Sequence, residues 1–436
     1  MGDSRRRIPT PPAFPSRSLS VRATAISRRL PTAPGFWRSP VRGVRFTAVL
    51  GLVLLGGITV LFVTGLLSYA AYNPDLSPVN DKTPDKGLLG FYLFAWPTGP
   101  HWLYRLTQGV HVTLGIVLVP VLLAKLWSVV PRLFALPPAR SAGHALERLS
   151  LLLLVGGALF EFVTGLLNIQ LEYLFPGSFY PLHFYGAWVF FAAFLAHAGL
   201  RAPQAVRVLR SGALSGTVPG DPLQSPAPAP ATLSRRGALA MVGAGSLVLF
   251  LTSAGRSFDG PLRRSAALTP HGAAEPGSGP NGFQINKTAA AVGVTAADTG
   301  EGWWLTVSGP AGDLRFSRDQ LLAMEQHSAA LPIACVEGWS TSDQWWRGVR
   351  LRDLAALAGY PDGPPGVLVE SVQRRGAFRR AALRDNQVAD PRSLLALAVN
   401  GEDLSPDHGY PARIIVPAAP GVLNTKWVSR LTFGEL

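Results

Sequence analysis

Five apolar stretches dominate the first 255 residues: Phe46–Ala70, Gly109–Val130, Leu149–Ile169, Leu182–Leu200 and Gly237–Gly255. Each is close to the roughly 20 residues that cross a bilayer core, and the second can begin as early as His101. Inside a bilayer the backbone must satisfy its own hydrogen bonds, so runs of this length are helices. Charged residues are only 15% of the chain and hydrophobic residues 48%, a balance too apolar for an ordinary soluble protein.

The net charge of +14 would suggest nucleic acid as the partner of a soluble protein. Here Arg132, Arg140 and Arg148 lie between the second and third stretches, and Arg201, Arg207, Arg210, Arg235 and Arg236 between the fourth and fifth. The intervening loops carry only Lys82 and Lys86, or no Lys or Arg at all. This alternation is a topology signal. It excludes nucleic acid as the reading and makes the lipid bilayer the partner. It predicts a multi-pass protein of the cytoplasmic membrane, with a cytoplasmic N-terminus and everything after Gly255 outside.

The predicted fold class is multidomain: an all-α transmembrane bundle followed by an α+β domain. Residues 1–43 read as a disordered basic tail, 44–209 as a four-helix membrane domain, and 210–236 as a linker whose "QSPAPAPAT" is an extended spacer. The fifth helix, 237–255, follows the Arg235–Arg236 pair and resembles a twin-arginine export signal. Residues 256–284 form a second linker, rich in Gly, Pro and Ser. The remainder, 285–436, is long enough to bury a core. In it "GWWLTVSG", "GVLVESV", "PARIIVP" and "TKWVSRLTF" read as strands, and "RLRDLAALAG" as a short helix closed by glycine. No internal repeat is evident.

Histidine within an apolar span is costly and marks a functional candidate. His111 lies in the second stretch, and His183 and His197 in the fourth. Those two are separated by fourteen residues, so they share a helix face about 21 Å apart along the axis. Such spacing suits haem b, whose iron takes axial imidazoles. His101 with His183 and His111 with His197 is one pairing. A single haem between His111 and either His183 or His197 is another. Arg105 is a candidate for a haem propionate. The aromatic run "FYGAWVFF" fits beside a porphyrin or at the membrane interface.

Cys335, the only cysteine, excludes an intrachain disulfide and any Cys-only metal cluster. It can be an inert buried thiol, a nucleophile if His327 or His408 lies beside it, or a single thiolate metal ligand at a fixed turn. The last possibility gains from a resemblance. "CVEGWS" followed by "QWWRGVRLRDLAALAG", and later "LAVNGEDLSPDHGYPARIIVP", resemble the molybdenum-ligating segment and a following strand–turn pattern of the sulfite oxidase fold family of molybdopterin oxidoreductases. The likeness covers roughly residues 285–436. It is closest to the bacterial branch typified by the catalytic subunit of periplasmic methionine-sulfoxide reductase. The apolar half resembles cytochrome b bundles more generally, through "GVHVTLG" and "LHFYGAWVFFAAFLAH".

The resemblance implies molybdenum bound to Cys335 beside the dithiolene of molybdopterin. It implies cofactor contacts from Ser371, His408 and Arg413, and from the backbone of Gly421 and Val422. The family's lysine after these positions is Leu423 here, with Lys426 as the substitute. Sulfite-oxidising members carry basic residues shortly after the metal cysteine; this chain has Val336, Glu337, Gly338 and Trp339, and Glu337 opposes an anionic substrate. The expected function is an electron relay between the quinone pool, haem b and molybdenum, acting on a small-molecule or protein-bound oxo-substrate such as a sulfoxide, with reverse flow as the alternative. A cofactor-free sensor module and a thiol hydrolase are the competing readings. Asp343, Trp345, Trp346 and Arg347 line a pocket or pack a core, with packing expected for the tryptophans.

Overall fold

The computed structural model describes residues 30–33, 36–76, 94–134, 136, 141–169, 179–210, 221, 223–225, 228–258, 260–268, 279–376 and 378–436. Five long helices come first: α1 (Val44–Ala71), α2 (Leu103–Leu133), α3 (Ala142–Asn168), α4 (Tyr180–Arg210) and α5 (Arg235–Ser253). Among the described residues these five are long and apolar enough to cross a membrane. Their apolarity goes all round. Phe46, Leu50, Leu54, Leu118, Phe190 and Phe194 pack together inside the bundle, while Val53, Leu152, Val163, Val189 and Leu247 are exposed on its outside. A helix apolar on every side is suited to burial or to lipid.

The bundle contains a repeat that the sequence reading missed. The hexapeptide Phe62–Leu67 of α1, FVTGLL, recurs as Phe162–Leu167 of α3. α1 packs on α2, and α3 packs on α4, so each copy faces the helix that follows it. Six residues within apolar runs carry little signal until their equivalent partners are known.

The described parts of the expected tail and of both expected linkers are packed; residues 34–35, 211–220, 222, 226–227, 259 and 269–278 lie outside the described residues. The disordered tail expected over residues 1–29 lies outside the described residues, but the described segment before α1 is packed. Arg42 is buried, stands 4.1 Å over the Trp127 ring and donates Nε to the Trp127 carbonyl. Arg235 donates to the carbonyls of Val41 and Arg42. In the 210–236 linker, the Asp221 carboxylate accepts from Val44 N at the start of α1, where a negative charge opposes the positive end of the helix dipole. In the 256–284 linker, Arg256 and Ser257 are buried against the C-terminal domain.

That domain holds two five-stranded sheets. The first runs β2 (Gly312–Phe316), β1 (Leu305–Gly309), β10 (Val428–Phe433), β5 (Val367–Ser371), β6 (Arg380–Leu383), with β1 and β10 parallel. The second runs β3 (His327–Leu331), β4 (Gln344–Arg350), β7 (Leu394–Val399), β8 (Glu402–Asp403), with β9 (Arg413–Ile415) also on β7. β7 is buried on both faces. Leu395 and Leu397 join the core with β1, β5 and β10, whereas Leu394 and Ala396 join Trp346 and Cys335 on the other side, as the two-residue period of a strand requires. Trp346 packs as expected, but Trp345 is 64% exposed.

Three segments of the helical half clamp the domain. Beyond α1, the buried Asn73 donates Nδ2 to Gln387 Oε1 (2.9 Å) and Ala382 O (3.2 Å), and Asp75 pairs with Arg384. Before α2, Trp96 donates Nε1 to Ala418 O (2.7 Å), and Arg392 bonds Thr98 O. After α5, Ser257 Oγ bonds the Gly338 carbonyl, and Ser340 Oγ bonds Ser257 O.

Asn73 also holds φ at 52°, a conformation that Asn tolerates better than Ala. Asn73→Ala should weaken docking by about 2–4 kcal/mol, from backbone strain plus the loss of two buried hydrogen bonds. Hydrogen exchange across 380–389 should accelerate accordingly; unchanged exchange there would contradict this view of the clamp.

Candidate functional site

Cys335 begins a tight turn after β3. Its N–H donates to Trp339 O (2.8 Å), and Gly338 N donates back to Cys335 O (3.0 Å). Gly338 closes the turn at φ +88°, a conformation open to glycine at little cost. A Cβ there would lie 2.7 Å from Val112 Cγ2, so the turn rests directly on α2. On the other side, Gly421 N donates to Ala334 O (2.7 Å). A Cβ on Gly421 would approach that carbonyl to 3.1 Å, which holds the 420–425 loop against the cysteine.

Burial pushes the Cys335 thiol well above its ordinary range, and the Glu337 carboxylate adds to this. Such a thiol is a poor free nucleophile. His408 is stacked on Phe283 (3.8 Å), and His327 contacts Asp353 (3.4 Å). A bound cation would reverse the balance by favouring the thiolate.

Cys335 lines a cavity of about 730 Å³ whose walls include Gly421, Val422, Asn424, Thr425 and Lys426. Lys426 Nζ donates to Asn286 Oδ1, Lys287 O and Asp407 O, and burial together with the Arg413 cation holds it well below the usual lysine range. Arg413 is buried beside it, donating to the His408 and Asn424 carbonyls, and burial lowers it to about 9. Among the described residues Arg413 Nε, Asn424 Nδ2 and Thr425 Oγ1 are buried without a hydrogen-bond partner. Buried donors of this kind normally have acceptors. Two crowded cations with three orphaned polar groups suit an anionic, oxygen-rich ligand, and guanidinium matches phosphate well. The donors therefore fit molybdopterin. The described residues hold no group of three or more His, Cys, Asp or Glu that could hold a metal ion.

Three expected contacts, Arg413, Ser371 and His408, sit behind the wall rather than on it. Ser371 Oγ donates to Lys426 O (2.7 Å) and accepts from Gln373 N. His408 offers its carbonyl to Arg413; burial and the Arg413 charge lower its imidazole to about 3. Leu423 goes into the hydrophobic core, while Lys426 reaches the cavity. Asn424 and Thr425 were missed, although the polar run between Leu423 and Trp427 is a visible signal beside an already nominated lysine. Glu337 lines the cavity, accepts from Trp339 Nε1 (3.0 Å) and attracts the buried Arg256 guanidinium. Its charge is thus partly compensated by a residue 81 positions away.

The same cavity continues between the long helices and is lined there by His111 and His183. Their ring centroids are 6.2 Å apart at 89°. His111 Nδ1 meets Leu61 O and Thr64 Oγ1, each at 3.0 Å. His183 Nδ1 meets Thr164 Oγ1 (3.0 Å) and Glu161 Oε2 (3.1 Å). Gly65 and Gly165 stand against the two rings: a Cβ would lie 3.2 Å from His111 Cε1 and 3.3 Å from His183 Cε1. The repeated hexapeptide therefore supplies a matched threonine and glycine to each histidine, and leaves each Nε2 for the cavity. His197 does not line the cavity and remains about 21 Å along α4 from His183. His101 pairs instead with Asp343 (3.1 Å) across the domain seam, and Arg105 Nε donates to Ser257 O.

Residues 291–435 match the family described as oxidoreductase molybdopterin binding domain. An uncharacterized oxidoreductase, YuiH, of Bacillus subtilis (strain 168) is 34% identical over 27% of this chain and 57% of its own length. Mitochondrial sulfite oxidase of Drosophila melanogaster is 30% identical over 31% of this chain and 28% of its own. NADH nitrate reductase of Volvox carteri is 36% identical over 22% and 12%. The chain thus spans less than two thirds of each of these relatives, and the likeness is confined to its C-terminal part. That part, with its single cysteine turn and unsatisfied donor cradle, is a molybdopterin-binding oxidoreductase domain of the sulfite oxidase family.

Proposed function

We propose that the chain is a membrane-anchored molybdenum oxidoreductase in which electrons pass between the quinone pool, a haem b held by the helical bundle, and molybdopterin at Cys335. The observation that carries this reading is the single cavity lined by His111 and His183 at one end and by Cys335 and Lys426 at the other. The His111 and His183 rings, with centroids 6.2 Å apart, would be the pair that holds a haem iron, which would supply one-electron chemistry there. With Nδ1 of each ring occupied, Nε2 is the available ligand atom, and such partners fix ring orientation and basicity. The exposed apolar flanks of α1–α5 and the alternation of basic loops support a cytoplasmic N-terminus, with the C-terminal domain on the outer face.

In this reading Cys335 supplies the protein thiolate, Arg413 and Lys426 hold the cofactor's phosphate, and Asn424 and Thr425 meet its polar edge. Bound molybdopterin supplies oxygen-atom transfer, and bound haem supplies one-electron steps. Glu337 at the cavity wall disfavours anionic substrates, which supports a neutral oxo-substrate such as a sulfoxide or another methionine-sulfoxide-like group. Reverse flow would use the same residues, since the relatives include a named sulfite oxidase and a named nitrate reductase.

The two sites should empty independently. In full-length protein purified from a molybdenum-replete host, Cys335→Ser should lose molybdenum and keep iron. His111→Ala or His183→Ala should lose iron and keep molybdenum, and His197→Ala should keep both. Wild-type protein that is folded but free of molybdenum would refute the proposal. Arg413→Leu should lower molybdopterin content at least tenfold while leaving the visible spectrum of the bundle unchanged; unaltered pterin content would remove Arg413 from the cradle.

A further inference from the structure

One side chain ties the cysteine turn to both helices that hold His111. Gln108 of α2 donates Nε2 to the Val336 carbonyl, adjacent to Cys335. Its Oε1 accepts from Ser68 Oγ of α1 (2.6 Å). Gln108 lies one helical turn before His111, and Ser68 one turn after the Thr64 that fixes the His111 ring. Both Gln108 and Ser68 are buried. Next to this bridge, Ala334 packs with Ala70, Ala71, Trp96 and Tyr104, and Gly338 touches Val112. The three clamps described above surround the contact. A flexible tether between the halves would leave a contact of this kind to chance encounters; here buried hydrogen bonds and packing make it part of the folded core.

Resting on the electron relay proposed above, we infer that the two halves exchange electrons in one fixed, docked geometry, with Gln108 as the positioning residue that couples the Cys335 turn to the His111 helix. The overall balance needs no moving domain. A quinol gives two electrons and two protons, and the oxo-substrate takes them, losing its oxygen as water and leaving quinone. Each electron crosses from the bundle to the cysteine turn over a gap bridged by the Val336 carbonyl, the Gln108 amide and one turn of α2. A carbonyl-to-amide hydrogen bond at this position both shortens the gap and prevents the turn from drifting off the helix.

The test uses the full chain. After flash reduction of the haem, the intramolecular transfer rate should not change as sucrose raises solvent viscosity. Gln108→Leu should slow it at least tenfold, with iron, molybdenum and haem midpoint potential unchanged. A wild-type rate that falls with viscosity would overturn fixed docking, and an unslowed Gln108→Leu would overturn the role of Gln108. Hydrogen exchange supplies a readout that needs no redox group: residues 334–341 should be protected in the wild type and exchange at least tenfold faster in Gln108→Leu. Equal exchange in the two proteins would likewise overturn the inference. A wild type lacking the haem spectrum but protected across 334–341 would instead count against the relay and leave the docking intact.

Discussion

The contact between the Cys335 turn and α2 is the constraint on which the rest of the arrangement depends. A glycine at 338 lets the turn lie against Val112, and Gln108 seals the approach with a hydrogen bond to Val336. Any side chain at 338 would lift the turn off the helix and open a gap at the point where the two halves share one cavity. The neighbouring clamps are polar and buried, which gives the seam direction as well as adhesion, since each buried donor must find its own acceptor. The pocket near Cys335 therefore has a wall that the C-terminal domain does not build alone.

Within that pocket, charge is distributed unevenly. Arg413, just behind the wall, and Lys426, on it, lie at one end; burial lowers both, and the Arg413 charge lowers Lys426 further, and a bound phosphate would relieve both. Glu337 sits toward the helices with Arg256 as its counter-charge. The thiol of Cys335 lies between these regions and is neutral by burial until a cation compensates it. The site thus suits an anionic cofactor that carries a metal. In the helical half a threonine hydroxyl and a glycine stand behind each histidine, presented twice by one hexapeptide, and His183 has the Glu161 carboxyl besides.

Much of this was legible in the sequence. The five helices followed from apolar length alone, and the strands around Leu305, Val367, Arg413 and Val428 from short apolar runs between turns. Cys335 stood out because a lone thiol before Glu-Gly-Trp sits in a recognisable setting. The histidine pairing was not legible, because His183 and His197 share one face of α4 and the relative depth of α2 is not readable from sequence; His183 lies beside His111, His197 is about 21 Å further along the helix, and Thr164 and Glu161 hold the His183 ring. The position of His408 was not legible for a related reason. A ring that stacks on Phe283 cannot be distinguished in sequence from one that reaches a cavity. Asn424 and Thr425 gained meaning only when folding left them buried without partners. The packed segments before α1 and after α5 looked like linkers because their apolar content is low, yet their arginines and serines are satisfied by backbone carbonyls from distant elements.

The most direct test of a joined electron path is to reduce the full-length protein anaerobically with a soluble quinol analogue and then add dimethyl sulfoxide while recording the visible haem bands. The account predicts that the quinol develops a reduced b-type spectrum, that the sulfoxide discharges it in the wild type, and that in Cys335→Ser the reduced spectrum persists. Discharge at the same rate in Cys335→Ser, or failure of the quinol to reduce any haem, would contradict it.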